Sequence, residues 1–167
     1  MNPAVFAVET TVALGAAKNK KGPATAGLFT FITMPKKILF VCVENSNRSQ
    51  MSQAFAKMIG GASVKAYSAG SNPSGRINQK AIVAMKEVGY DLKTHRSKSL
   101  DQVKEYAPFD AVVTMGCGDA CPWMPAKQFI DWQIPDPREM NEEEFNKVRD
   151  LIKEKVTGLL SSLQMIN

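Results

Sequence analysis

The chain has 167 residues, 44% hydrophobic and 22% charged, with a net charge of +5. That is enough for one globular domain and too apolar for a disordered one, and no basic run exceeds Lys20-Lys21 or Lys36-Lys37, so no nucleic-acid partner is expected. No apolar stretch approaches the roughly 20 residues of a membrane span, and three cysteines with one histidine suit neither a disulfide scaffold nor a four-ligand zinc site.

Residues 1–33 scatter small and apolar residues without a period around Lys18, Lys20 and Lys21. The basic residues follow the first apolar patch, the wrong order for a secretory signal, and the segment lacks the arginines of a transit peptide. It reads as a mobile N-terminal extension, with the folded domain occupying 34–167. An odd count of cysteines, read as free thiols, suggests a reducing cytosol, so a cytoplasmic location is expected.

From Lys36 the pattern alternates β and α. Ile38 to Cys42 is a continuous apolar run, as a strand buried on both faces requires. After a polar turn, Met51, Phe55, Met58 and Ile59 recur at helical spacing until Gly60-Gly61. Val64 to Ser68 is a second strand, and Ile77, Ala81, Met85 and Val88 mark a second helix closed by Gly89. A short helix is expected near Leu100 to Tyr106, a third strand over Phe109 to Met115 and a fourth over Phe129 to Ile134. Asn141 and Glu144 form a capping-box pair for a last helix, which presents Phe145, Val148, Ile152, Val156, Leu159 and Leu163 to a core. Such alternation predicts an α/β fold, a parallel sheet with helices on both faces.

Ligands in these folds bind beyond the carboxyl ends of the strands. Cys42 ends the first strand, and after five intervening residues Arg48 and Ser49 open a helix. Backbone N–H groups of Val43, Glu44, Asn45, Ser46, Asn47 and Arg48 can curl around a tetrahedral oxyanion at the positive end of that helix. Arg48 can grip two oxygens in a bidentate fork. The same donors and Ser49 favour the thiolate of Cys42 as a nucleophile. A cysteine at a strand end is by itself usually a small hydrophobe; strand, helix and serine together point to chemistry. Asp136, between Pro135 and Pro137, sits in a stiff turn that can aim a carboxyl. Cys117 and Cys121 flank Gly118-Asp119-Ala120 just past the third strand, where two thiols can serve redox chemistry.

The segment from Val41 to Met51, with Tyr67-Ser68-Ala69-Gly70, Asp136-Pro137 and the stretch from Thr114 to Pro122, resembles the low-molecular-weight protein tyrosine phosphatases, and more closely the arsenate reductases sharing their fold. The likeness runs from Lys36 to about Leu163. It implies four parallel strands in the order 2-1-3-4. It implies Cys42 as nucleophile on an arsenate- or phosphate-like oxyanion and Asp136 as general acid for the departing oxygen. Cys117 would then attack Cys42, with Cys121 either completing an internal relay or standing by while an external thiol acts. The implied reductant is external: thioredoxin, glutaredoxin with glutathione, or a similar thiol. The alternative is a phosphatase acting on phosphotyrosine or small phosphate esters. No bound cofactor or metal is expected, since Lys98 falls where some relatives place an acidic residue beside a potassium ion. The protein is read as a monomer. Two departures stand out: Asn47 where some reductases carry a further cysteine, and Arg138-Glu139-Met140 where the tyrosine phosphatases have aromatic residues. His95 is expected to be a polar loop residue.

Overall fold

The computed structural model describes residues 34–116 and 123–163. The extension 1–33, Cys117 and Cys121 lie outside the described residues. Strand β1 (Lys36–Cys42) is followed by helix α1 (Arg48–Gly60), β2 (Val64–Gly70), α2 (Gln79–Glu87), β3 (Phe109–Thr114), β4 (Ala126–Asp131) and α3 (Glu142–Ser162). The strands form one parallel sheet in the order β2-β1-β3-β4.

The central position of β1 explains its unbroken apolar run. Ile38 and Phe40 face the larger core, where they join Met51 and Phe55 of α1, Met85 of α2, and Phe145, Ile152 and Leu160 of α3. Leu39 and Val41 face the opposite side, with Val112, Phe109, Leu100 and Val103. That side is covered by a turn ending in a short 3-10 helix, Lys104–Tyr106. Each β1 side chain from Ile38 to Val41 is at most 1% exposed, so neither face could carry a polar residue without losing a partner.

The end signals are local. Asn141 accepts from the Glu144 amide while the Glu144 carboxylate accepts from the Asn141 amide, the reciprocal box expected for α3. Asn78 caps α2 through the Lys80 amide, so the helix starts two residues after Ile77. The fourth strand lies three residues earlier than expected. Its register runs from Phe109 opposite Ala126 to Thr114 opposite Asp131. Trp132 and Ile134, whose apolar character suggested a later strand, are buried beyond its end, and the Trp132 ring lies 5.9 Å from that of Phe40. Phe129, on the edge strand, is 52% exposed.

At the carboxyl end of the sheet Cys42 pairs with Gly70. A side chain there would place Cβ 2.5 Å from the Val43 carbonyl oxygen and 2.9 Å from the Asn45 nitrogen. Both are backbone atoms of the loop after β1, so nothing can yield without moving that loop. Gly70→Ala is therefore expected to lower the urea-unfolding free energy by about 1–3 kcal/mol and to weaken oxyanion binding. Gly158→Ala, in open space on α3, should instead be neutral or stabilising by up to about 1 kcal/mol.

Candidate active site

The loop from Cys42 to Asn47 owes its shape to its carbonyls. Those of Cys42, Val43, Glu44 and Ser46 accept from the amides of Ser71, Asn72, Ser74 and Asn78 at 2.8–3.2 Å. The Asn45 carbonyl accepts from Gln50 Nε2 at 3.1 Å, and that of Asn47 from the Met51 amide at 3.0 Å. In a trans peptide the N–H points away from the C=O. Carbonyls turned outward therefore leave the loop amides for the inner side, as an oxyanion cradle needs. The reversal occurs at Asn45, whose φ of 49° lies in the left-handed region that Asn tolerates.

Inside the loop, two donors converge on sulfur. The Asn45 amide lies 3.2 Å from Cys42 Sγ. Ser49 Oγ lies 2.9 Å from the same atom, and it accepts from Asn45 Nδ2 at 2.8 Å. With that acceptor role filled by the amide, the Ser49 hydroxyl hydrogen is free to point at Cys42, where it stabilises negative charge on sulfur. Asn45 Oδ1 in turn accepts from Gln50 Nε2 and the Lys98 amide, both at 2.8 Å.

Arg48 is locked from behind. Its Nη1 donates to the Met115 carbonyl at 2.9 Å and the Ile134 carbonyl at 2.8 Å. Its Nη2 faces Asp136 Oδ2 at 3.6 Å. Arg138 Nη2 approaches the same carboxylate oxygen at 3.7 Å and pairs with Glu44 Oε1 at 3.0 Å. Lys80 on α2 donates to the carbonyls of Arg138 and Met140, which ties the turn carrying Asp136 to the helix whose cap supports the loop. Cys42, Arg48, Ser49 and Asp136 thus converge on one small cavity or its rim, together with Arg138, which the sequence pattern did not single out as a site residue. Asn47 also lines it and buries its Oδ1 without a partner among the described residues. No group of three or more potential metal-ligating acidic, histidine or cysteine side chains occurs among the described residues.

A sequence profile for low molecular weight phosphotyrosine protein phosphatases matches residues 37–166. The chain belongs to that family. Among its relatives, the chain is 37% identical to the glutaredoxin arsenate reductase of Synechocystis over 77% of this chain and 98% of that one. A solved arsenate reductase in its phosphate-binding state is 36% identical with a TM-score of 0.67, covering 76% of this chain and 98% of the other. A thioredoxin-dependent arsenate reductase from Corynebacterium glutamicum is 32% identical with a TM-score of 0.66, over 80% and 64% respectively.

His95 is a polar residue outside the regular elements, as expected, and it also braces the loop. Gln50 spends its Nε2 on the carbonyl-type oxygens of Asn45 and on the Arg96 carbonyl. Its Oε1 must then accept from His95 Nδ1, at 2.8 Å, leaving Nε2 to accept from the Tyr90 hydroxyl, also at 2.8 Å. That arrangement needs a neutral ring. Burial, then the charges of Lys57 and Lys98, lower the His95 pKa to about 4. Burial, then Lys57, lowers that of Lys98 to about 8. The unfolded chain takes up the His95 proton near pH 6.5 and the folded one only near 4, so stability falls as pH drops through that window. With half-burial discounted for solvent screening, the loss amounts to about 1–2 kcal/mol. Urea titrations at pH 7 and 4.5 should show it in the parent and show less of it in His95→Gln.

Proposed function

We propose that this chain is a cytoplasmic, monomeric arsenate reductase, and that Cys42, Arg48, Ser49, Asp136, Cys117 and Cys121 divide the chemistry. Cys42 thiolate attacks arsenic(V), forming an S–As bond as an As–O bond breaks. Asp136 protonates the departing oxygen, which leaves as water. Arg48 and the loop amides of residues 43–48 hold the remaining oxygens through the transition state. Cys117 thiolate then attacks the Cys42 sulfur. An S–S bond forms, the S–As electron pair passes to arsenic, and arsenite leaves. Cys121, or an external thiol, next attacks Cys117 and returns Cys42 to its thiolate. An external dithiol or thiol, of the thioredoxin or glutaredoxin/glutathione kind, restores the two electrons.

The observation that carries this reading is the bond from Arg48 Nη1 to the Met115 carbonyl. Cys117 lies only two residues beyond Met115 in the sequence. Two residues span at most about 7 Å of chain, a separation short enough to favour Cys117 as the thiol that attacks the Cys42 adduct. Phosphate-ester hydrolysis needs no such thiol. The base of that segment is braced as well: Asp131 accepts from Thr114 Oγ1, the Gly116 amide and Gln133 Nε2, and these bonds, Thr114 first, hold its carboxyl below the usual range. The relatives named as arsenate reductases support the same assignment.

Arsenite release from arsenate, with thioredoxin and glutaredoxin/glutathione supplied in turn, is the direct test. After one turnover without reductant, Cys121→Ser should hold a Cys42–Cys117 disulfide in peptide mass spectra, and the parent should hold Cys117–Cys121. Three free thiols after arsenite production would leave only an external thiol. No arsenite with any reductant, alongside brisk hydrolysis of an aryl phosphate, would favour the phosphatase. On the same reading the folded unit is 34–167, and removing residues 1–33 should leave the melting temperature nearly unchanged; a large drop would move the domain boundary.

A further inference from the structure

The cavity inside the loop is small. Its volume is about 10 Å³, the least that holds one water molecule, about 10–15 Å³. A four-oxygen anion is larger, and its entry is easiest past a side chain at the mouth that can move. Most of the wall cannot: Cys42, Ser46 and Asn47 are at most 5% exposed, and Arg48 is held by two carbonyls. Asp136, 45% exposed, and Arg138, 48% exposed, can; the longer Arg138 side chain also spans to Glu44, while its backbone is fixed by Lys80 Nζ on its carbonyl and by its own amide on Asp136 Oδ1 at 3.2 Å. On the far side of the Glu44–Arg138 pair lies a polar groove of about 740 Å³, lined in part by Ser74, Arg76 and Asn78. Glu44, Ser46 and Arg138 line both spaces. The pair is therefore the partition between cradle and groove.

We propose that Arg138 is the specificity-determining residue of this site, selecting an unsubstituted tetrahedral dianion over its organic esters. This rests on the oxyanion-cradle reading above. In-line attack by Cys42 directs the leaving oxygen away from sulfur and toward the mouth. On a free oxyanion that oxygen is a bare acceptor, and the guanidinium can release Asp136 and donate to it. Freed of that contact, the Asp136 carboxyl can take up a proton from solvent and, as the acid, pass it to the same oxygen. On an ester that oxygen carries carbon, offers no charge to Arg138, and must drive the guanidinium off Glu44 to make room. Arg138 thus draws free oxyanions in and closes the groove to the organic arm of an ester. Its contact with Glu44 has a second use: it neutralises a carboxylate that would otherwise repel a dianion at the entrance.

Binding of two probes tests this without any turnover. Inorganic phosphate carries the bare oxygen, and benzylphosphonate replaces it with a benzyl group. Calorimetric titration of the full-length parent is expected to favour phosphate. A charge-assisted hydrogen bond corresponds to roughly tenfold or more in affinity. Arg138→Ala should therefore shift the phosphate-to-benzylphosphonate ratio by at least about tenfold toward the phosphonate. Arg138→Met, of similar length but without donors, should shift it the same way. A ratio unchanged in both variants overturns the proposal, as does a shift with Ala but not Met, which would assign selection to bulk alone. A parent that binds both probes equally overturns the gate and leaves the cradle standing. A parent that binds neither overturns the cradle and the gate with it.

Discussion

The site depends on where six consecutive carbonyls point. From Cys42 to Asn47 each one is held outward by a donor from the segment after β2, from the cap of α2, or from the first turns of α1. A net backbone hydrogen bond is worth about 0.5–1.5 kcal/mol, and a buried carbonyl left without a donor costs about 1–3 kcal/mol. The loop therefore cannot flip a peptide without losing more than it gains. The inward set of its amides is thus a property of neighbouring segments as much as of the loop. It also explains why the contact at Gly70 is so close: the strand beside β1 must bring its backbone against the loop to supply the next donors in line.

Charge at the site is balanced more finely than the net surplus of the chain suggests. Asp136 stands between two guanidinium groups, Arg48 and Arg138, and Glu44 shares the second of these. These four groups sum to zero, so the charge of a bound oxyanion would fall to the loop amides and the start of α1. Behind the loop the ordering is different. His95 is kept neutral among Gln50, Tyr90 and two lysines, so the network bracing Asn45 can keep a single hydrogen-bond polarity across the pH range in which enzymes of this kind operate.

Much of this was legible in the sequence, and what was not has a common cause. The apolar run of β1, the Cys42-to-Ser49 pattern and the box at Asn141 are signals within a few residues, and the structure carries all three. The likeness of the loop and of the Asp136-Pro137 turn to a known family also gave the strand order. Pattern reading placed β4 too late because Trp132 and Ile134 are buried by packing past the strand, and periodicity alone does not distinguish such burial from sheet burial. Gln50, Lys80 and Arg138 went unassigned, and His95 was read only as a polar loop residue, because the partners that give them a role are distant in sequence. His95 reaches back 45 residues to Gln50, and Lys80 reaches forward 58 residues to the Arg138 carbonyl. No local spacing encodes such pairs.

Asn45 carries a consequence for how this sequence can vary. The position demands a left-handed backbone, a side-chain donor for Ser49, and an acceptor that serves both Gln50 and the Lys98 amide. Glycine meets the first demand and neither of the others. Aspartate tolerates the backbone and accepts, but it has no hydrogen to give Ser49 and would set a second anion beside the Cys42 sulfur. Glutamine carries the right amide on a chain one methylene too long for a site with no exposed surface. Under drift, the codon at this position is tightly held: of these four residues, asparagine alone satisfies all three demands at once.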